Sequence, residues 1–110
     1  MPVATAEKVR ALTQDFRSSA ELARMLGVNR SQVTRWLQGA GIDPLNAERI
    51  DLLELVIANL RRLYEPEAIR PWLFGFNPHL GNRRPIDLIR KGRVEELLAA
   101  IRAERADSYA

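Results

Sequence analysis

Apolar residues along this chain recur at intervals of three and four positions, and glycine or proline interrupts the pattern repeatedly. Such spacing lines one face of a helix, whereas a strand needs alternating apolar and polar residues. No long stretch alternates in that way and β-branched residues are sparse, so the pattern predicts an all-α chain. The predicted helices are Thr5 to Phe16, Ser19 to Leu26, Arg30 to Gln38, Pro44 to about Leu63, Glu67 to Leu73, Pro85 up to Gly92, and Arg93 to Ala103, with a loose tail over Ala106–Ala110.

The composition excludes several function classes. The 110 residues suffice for one core or two small sub-cores, and the absence of cysteine excludes disulfides and a cysteine nucleophile and favours the cytoplasm. No apolar run approaches the roughly 20 residues of a membrane span, and neither a membrane segment nor a secretory signal is expected. No Ser/His/acid set or glycine-rich phosphate loop is present, so we expect neither enzymatic activity nor a cofactor.

The stretch from Ser18 to Gly39 has the pattern of two short helices joined by a tight turn. Ala23 is small where the helices would cross, and Gly27 stands where the chain must reverse through a left-handed conformation. Asn29 is a suitable N-cap, and Gln32 would complete a capping box with it. The stretch resembles the helix-turn-helix of Xre/Cro-type repressors. The expected shared core consists of Leu22, Leu26, Val28, Val33, Trp36 and Leu37.

The predicted third helix carries a polar face that suits DNA. With Val33 and Trp36 turned inward, the outward side presents side chains that can read base edges or contact phosphates. Residues 1–41 hold six basic and three acidic residues, a surplus equal to the net charge of +3 for the whole chain. A solvated polar face without DNA binding is the competing interpretation. The predicted DNA-binding residues are Arg30, Ser31, Gln32, Thr34, Arg35 and Gln38.

The predicted fourth helix, Leu45 to Leu63, is apolar over more of its circumference than one small core covers. Two interpretations stay open: central burial among the other helices, or a surface for self-association. A homodimer would let two recognition helices enter successive major grooves about 34–36 Å apart.

A second motif fills Pro71 to Ile101, and with it the resemblance becomes specific. Its members are Trp72-Leu73, Asn77-Pro78, Leu80-Gly81, Arg84-Pro85-Ile86-Asp87-Leu88-Ile89 and Gly92. They resemble the C-terminal toxin-binding domain of Xre/MbcA/ParS-type antitoxins. The resemblance implies a helix-turn-helix region over residues 1–41 and a dimerisation and toxin-binding domain over 42–110. It also implies an antitoxin that neutralises a RES-domain toxin, an enzyme that degrades NAD, and that represses its own operon by binding double-stranded operator DNA.

The expected toxin contacts lie in the second motif and in the tail, which in this family tends to reach the toxin's active-site cleft. A loop-anchoring role competes with a contact role for Trp72, Phe74 and Phe76, and Asp87 has the alternative of pairing with a neighbouring arginine. His79 has no second histidine or cysteine near it, so no metal site is expected. The predicted toxin-binding residues are Trp72, Asn77, Pro78, Arg83, Arg84, Asp107, Ser108 and Tyr109.

Two other functions compete with this one. The first is a stand-alone helix-turn-helix regulator of the same architecture without a toxin partner. The second is an antitoxin whose helix-turn-helix no longer binds DNA. Copurification with a neighbouring gene product distinguishes the first, and salt-dependent promoter binding distinguishes the second.

Overall fold

A computed structural model describes residues 5–16 and 18–108 of the chain. Within these residues the protein is helical, with no strand beyond an isolated bridge between Asn77 and Arg83, so the all-α prediction is confirmed there. No helix in this part is both long and apolar enough to cross a membrane. The helices are α1 (Thr5–Phe16), α2 (Ser19–Leu26), α3 (Arg30–Leu37), α4 (Pro44–Leu60), α5 (Pro66–Phe74), a 3-10 turn (Pro78–Leu80), α6 (Pro85–Lys91) and α7 (Val94–Ser108).

Two helix ends differ from the prediction by more than one residue. Helix α4 stops at Leu60, because the next residues form turns in which the amides of Leu63 and Tyr64 both donate to the carbonyl of Leu60. Helix α7 runs to Ser108, so the prediction of a loose tail from Ala106 is wrong for residues 106–108. Neither glycine nor proline follows Gly92, and the residues of α7 are mostly good helix formers.

The chain divides into two compact units, residues 1–54 and 55–110. The first unit contains α1, α2, α3 and the beginning of α4. Of the core expected around α2 and α3, Leu22, Leu26, Val33 and Trp36 are buried, while Val28 and Leu37 are half-buried. The further buried apolar residues of this unit are Val9, Leu12, Ala23, Met25, Ile50, Leu52 and Leu53.

The second unit contains the end of α4, then α5, the 3-10 turn, α6 and α7. Of its α4 side chains Val56, Ile57 and Leu60 are buried, whereas Leu55 is exposed. Burial within one chain therefore accounts for most of the apolar surface of α4 without a second copy. The other buried apolar residues of this unit are Ile69, Leu73, Leu80, Ile86, Leu88, Ile89, Leu97, Ala100 and Ile101.

Candidate functional site

The turn between α2 and α3 has the geometry that its sequence predicts. Gly27 is left-handed, with φ 73° and ψ 31°, and the amide of Val28 donates to the carbonyl of Ala23 at 3.0 Å. At the other end of α2, the Ser18 hydroxyl accepts a hydrogen bond from the amide of Glu21 at 2.9 Å. The capping serine and the left-handed glycine therefore fix where α2 begins and ends.

The start of α3 departs from the prediction at one point. Asn29 is the N-cap residue, but its side chain makes no capping hydrogen bond, so the predicted capping box with Gln32 is wrong. The Gln32 side chain instead accepts a hydrogen bond from the Arg35 guanidinium at 2.6 Å. This bond lies one turn along the outer side of α3 and holds two of the predicted base-reading groups against each other.

The other α3 side chains are buried on one side of the helix and exposed on the other, as helical periodicity predicts. Val33 and Trp36 are fully buried, and the opposite side is open to solvent. The Thr34 hydroxyl donates to the carbonyl of its own helix at Arg30, at 3.2 Å. Of the predicted DNA-binding residues, Arg30, Ser31, Thr34, Arg35 and Gln38 are exposed, and Gln32 is half-buried.

The positive charge of the first unit is not spread evenly. The Lys8 ammonium lies 2.9 Å from the carboxylate of Asp51 and 3.8 Å from that of Glu54. The hydrogen bond to Asp51 is the main cause of a raised Lys8 pKa. Lys8 is thus engaged with α4, which leaves Arg30 and Arg35 as the cations that α3 presents on its exposed side.

The loop between α5 and α6 is held in one shape by Asn77. The buried Asn77 side chain accepts a hydrogen bond from the amide of His79 at 2.9 Å. The backbone amide of Asn77 donates to the carbonyl of Arg83 at 3.0 Å, and the carbonyl of Asn77 accepts a hydrogen bond from the amide of Asn82 at 2.9 Å. Gly81 and Asn82 both have positive φ, 64° and 61°, which turns the chain back sharply. The expectation of a polar loop in a fixed shape is confirmed. Because Asn77 is buried, its side chain stabilises the loop and is not itself part of the exposed surface.

A carboxylate that the sequence analysis did not single out organises the surroundings of this loop. Glu104 of α7 accepts hydrogen bonds from the Tyr64 hydroxyl, from the Trp72 indole at 3.4 Å and from the Asn77 amide at 3.5 Å. Its hydrogen bond, together with burial, raises the pKa of Tyr64 to about 12. Glu104 lies one residue beyond the predicted end of the last helix, so the sequence pattern gave no reason to place it here.

The three aromatic residues of the second motif behave differently. Trp72 is half-buried and bonded to Glu104, and Phe74 is half-buried with the Arg70 guanidinium 5.2 Å from its ring centroid. The anchoring interpretation is wrong for Phe76, whose surface is 76% exposed. Phe76 therefore lies on the surface of the second unit and outside its core.

The predicted arginines of the loop are both engaged within the unit. Arg83 donates to the carbonyl of Leu80 at 2.7 Å and pairs with Glu96. Arg84 donates two hydrogen bonds of 3.0 Å each to the carboxylate of Asp87. Pairing of Asp87 with a neighbouring arginine was one of the two alternatives for this residue. Hydrogen bonding between these two side chains is the main cause of a lowered Asp87 pKa and of a raised Arg84 pKa.

These arginines border a groove of about 400 Å³. Phe76 and Leu88 are its apolar lining residues, of which Leu88 is buried, and Asp87 supplies a carboxylate that Arg84 already holds. The groove is lined by Phe76, Asn82, Arg83, Arg84, Asp87, Leu88, Arg90 and Lys91. It therefore combines an exposed aromatic ring with four basic side chains.

The predicted tail residues are only partly described. Asp107 is exposed and lies 3.1 Å from Nε2 of His79, so His79 has a partner at the end of α7. Ser108 is the last residue of α7, and Tyr109 lies outside the described residues. Among the residues that the structure describes, no cluster of three or more histidine, cysteine or acidic side chains is arranged to hold a metal ion.

Comparisons with known proteins give concordant results. The family model for the antitoxin Xre/MbcA/ParS C-terminal toxin-binding domain matches residues 59–103. The mycobacterial cidal antitoxin MbcA of Mycobacterium bovis is 30% identical over 84 residues, which cover 76% of this chain and 74% of the relative, and MbcA of Mycobacterium tuberculosis H37Rv gives the same values. A protein named a probable mycobacterial cidal antitoxin, also from strain H37Rv, is 29% identical over 98 residues, or 89% of this chain and 84% of its own length. No solved structure matches the chain significantly.

Proposed function

The chain belongs to the Xre/MbcA/ParS family of antitoxins, and from that premise we propose that it binds and neutralises a RES-domain toxin, an enzyme that degrades NAD, and represses its own operon by binding DNA. The chemistry then belongs to the toxin, and this chain acts in the cytoplasm by binding alone.

One observation carries the toxin-binding half of this proposal. The match to a toxin-binding domain, residues 59–103, falls within the second unit and includes the loop that Asn77 and Glu104 hold in shape. A loop ordered before binding loses less conformational entropy when a partner docks. Such a loop is suited to holding a toxin tightly.

The predicted toxin-binding residues divide into two roles under this proposal. Pro78 and Arg83 are exposed and are proposed to touch the toxin, although Arg83 also pairs with Glu96 within the unit. Trp72, Asn77 and Arg84 are bonded inside the unit and act by shaping the surface. The tail, with Asp107, Ser108 and Tyr109, is proposed to enter the toxin's active-site cleft.

The DNA-binding half rests on the exposed face of α3. Arg35 and Gln32 are side chains of the types that make paired hydrogen bonds to base edges, and Arg30 at the start of the helix suits a phosphate. In this proposal α2 and α3 form a helix-turn-helix. The antitoxin binds operator DNA as a homodimer or within a toxin–antitoxin hetero-oligomer, because one helix-turn-helix reads only a half-site.

Coexpression with the reading frame adjacent to this gene tests the toxin-binding half. We expect the neighbouring protein to copurify with this chain, to consume NAD when isolated and to stop doing so when the antitoxin is added. Native mass measurement of the complex then gives its stoichiometry. A neighbouring protein that neither binds this chain nor is toxic would refute the antitoxin role for this pair and favour the stand-alone regulator.

Fluorescence anisotropy with a duplex from the operon's own promoter tests the DNA-binding half. We expect tighter binding to that duplex than to a scrambled duplex of the same composition. The affinity should fall steeply as salt is raised, because phosphate contacts release counterions. Equal, weak binding to both duplexes would show that the chain does not read this promoter.

A further inference from the structure

We propose that the groove beside Phe76 is the principal docking site for the partner toxin, and that it takes a toxin segment in which acidic side chains surround an apolar pocket. This inference rests on the proposed antitoxin function and adds to it the residues and the chemistry of the contact. Arg90 and Lys91 are its new members, and Phe76, for which anchoring and contact were alternatives, takes the contact role.

Phe76 has the properties of an aromatic anchor. Its ring is 76% exposed, although aromatic side chains gain most from burial. The neighbours on both sides are fixed: the amide of Gly75 donates to the carbonyl of Pro71 at 2.8 Å, and Asn77 is buried. The backbone that carries the ring is therefore held before any partner arrives, which lowers the entropy lost on docking.

The charged side chains around Phe76 determine which charge the partner segment should carry. Four basic side chains, Arg83, Arg84, Arg90 and Lys91, line the groove together with the carboxylate of Asp87, and Arg83 also pairs with the carboxylate of Glu96. Asp87 accepts two hydrogen bonds from Arg84, and these are the main cause of its lowered pKa. The positive charges of Arg90 and Lys91 lower the Asp87 pKa further. The groove thus presents a net positive surface, which complements acidic side chains and speeds their approach.

The same features disfavour two other occupants. A second copy of this chain docked groove to groove would set the two basic surfaces against each other, so the groove is not suited to a symmetric dimer. A nucleic-acid backbone is less well matched, because the groove includes the carboxylate of Asp87 and the exposed apolar side chain of Phe76. A protein segment with both acidic and apolar side chains matches all the lining groups.

Four variants of the full chain test the proposal. Phe76→Ser removes the anchor and Lys91→Glu reverses one charge of the groove. Leu55→Ser and Arg102→Glu are matched controls, because both residues are exposed and lie outside the groove. Each variant is titrated against the purified toxin from the adjacent reading frame, and circular dichroism melting verifies that it folds.

We expect Phe76→Ser to weaken toxin binding by at least tenfold, as aromatic anchors at interface centres do. Lys91→Glu should slow association and reduce its salt dependence. The two controls should stay within about twofold of wild type, which is the range of near-neutral surface changes.

The failure of this inference is distinguishable from failure of the proposed function. If the wild-type chain does not bind the toxin, the antitoxin function fails and the groove loses its occupant. If the wild type binds and both groove variants bind equally well, the groove proposal alone is overturned. If the groove variants instead lose affinity for promoter DNA and retain affinity for the toxin, the groove is a nucleic-acid site and the proposal is likewise overturned.

Discussion

The carboxylate of Glu104, near the end of α7, accepts a hydrogen bond from the hydroxyl of Tyr64, which lies in the turn after α4. The two residues are 40 positions apart in the sequence and are partly buried where they meet. The same carboxylate also receives hydrogen bonds from Trp72 and Asn77. Glu104 thus joins α7 to the turn after α4, to α5 and to the rigid loop of the second unit.

Replacing Tyr64 by phenylalanine should destabilise the second unit. The ring and its packing remain, but Glu104 loses its best donor, and a hydrogen bond to a charged group contributes about 1.5–3 kcal/mol. We expect a loss of about 1–2 kcal/mol at pH 7 in urea unfolding, because Trp72 and Asn77 still donate to the carboxylate. An unchanged unfolding free energy would mean that this bond adds nothing to the folded state.

The ionisation of Tyr64 provides a second measurement on the same pair. Its pKa is raised from 10.0 to about 12, so its contribution to stability is fully present below about pH 10 and is lost as the pH rises through about 12. The absorbance of tyrosinate in a Tyr109→Phe background, where Tyr64 is the one remaining tyrosine, should therefore titrate near pH 12. A midpoint near 10 would show that the hydroxyl is not held by Glu104.

Replacing Asp87 by asparagine should remove a contribution that depends on pH in the opposite sense. The Asp87 pKa is lowered, first by the hydrogen bond from Arg84, so its stabilising effect is present above the ordinary value of 3.8 and is lost as the pH falls through the lowered one. Both side chains are 37% exposed, so we expect a loss of only about 0.5–1 kcal/mol at pH 7. The difference between variant and wild type should shrink towards zero as the pH falls below the lowered pKa of Asp87, as measured by urea unfolding across pH. A difference that stays constant with pH would point to packing instead of charge.

Local signals predicted most helix boundaries correctly. Ser18 caps the start of α2 and Pro85 opens α6, while left-handed glycines, Gly27 and Gly92, end the two helices. Each of these signals depends on only a few neighbouring residues. The end of α7 was missed because nothing stops the helix locally. Side chains there, such as Glu104, find their partners in distant parts of the chain.

The candidate surfaces were predictable to different degrees. The exposed side of α3 follows from helical periodicity once Val33 and Trp36 are assigned to the core. The exposure of Phe76 does not follow from any period, since it lies in a loop whose path is set by the buried Asn77 and by left-handed Asn82. The pairing of Asp87 with a neighbouring arginine was one of two alternatives, and Arg84 is the arginine that makes the pair.

Replacing Arg35 by alanine should weaken binding to the operon's own promoter by about 1–3 kcal/mol and relax discrimination at one base position. The guanidinium is exposed and is held by Gln32 at 2.6 Å, so it is oriented before DNA arrives. Arg10→Ala on α1 is the charge-matched control, because it removes the same charge from an exposed position outside α3. Equal losses for the two variants in anisotropy titrations would indicate a general charge effect and remove Arg35 from the set of base-reading residues.

Deleting Ala106–Ala110 should weaken neutralisation of the toxin while the second unit stays folded. The deletion removes the contact between His79 and Asp107, and Asp107 is 71% exposed, so the loss of stability should be about 1 kcal/mol or less. Glu104 and the hydrogen bonds that it accepts from Tyr64, Trp72 and Asn77 are retained. His79→Gln in the full chain is the control, because it removes the same contact with Asp107 but keeps the tail. In an NAD-consumption assay with the toxin we expect the deletion to need several-fold more antitoxin for half inhibition, and His79→Gln to resemble wild type. Full inhibition by the truncated chain would show that the tail does not block the active site, and an equal defect in His79→Gln would trace the effect to the His79 contact.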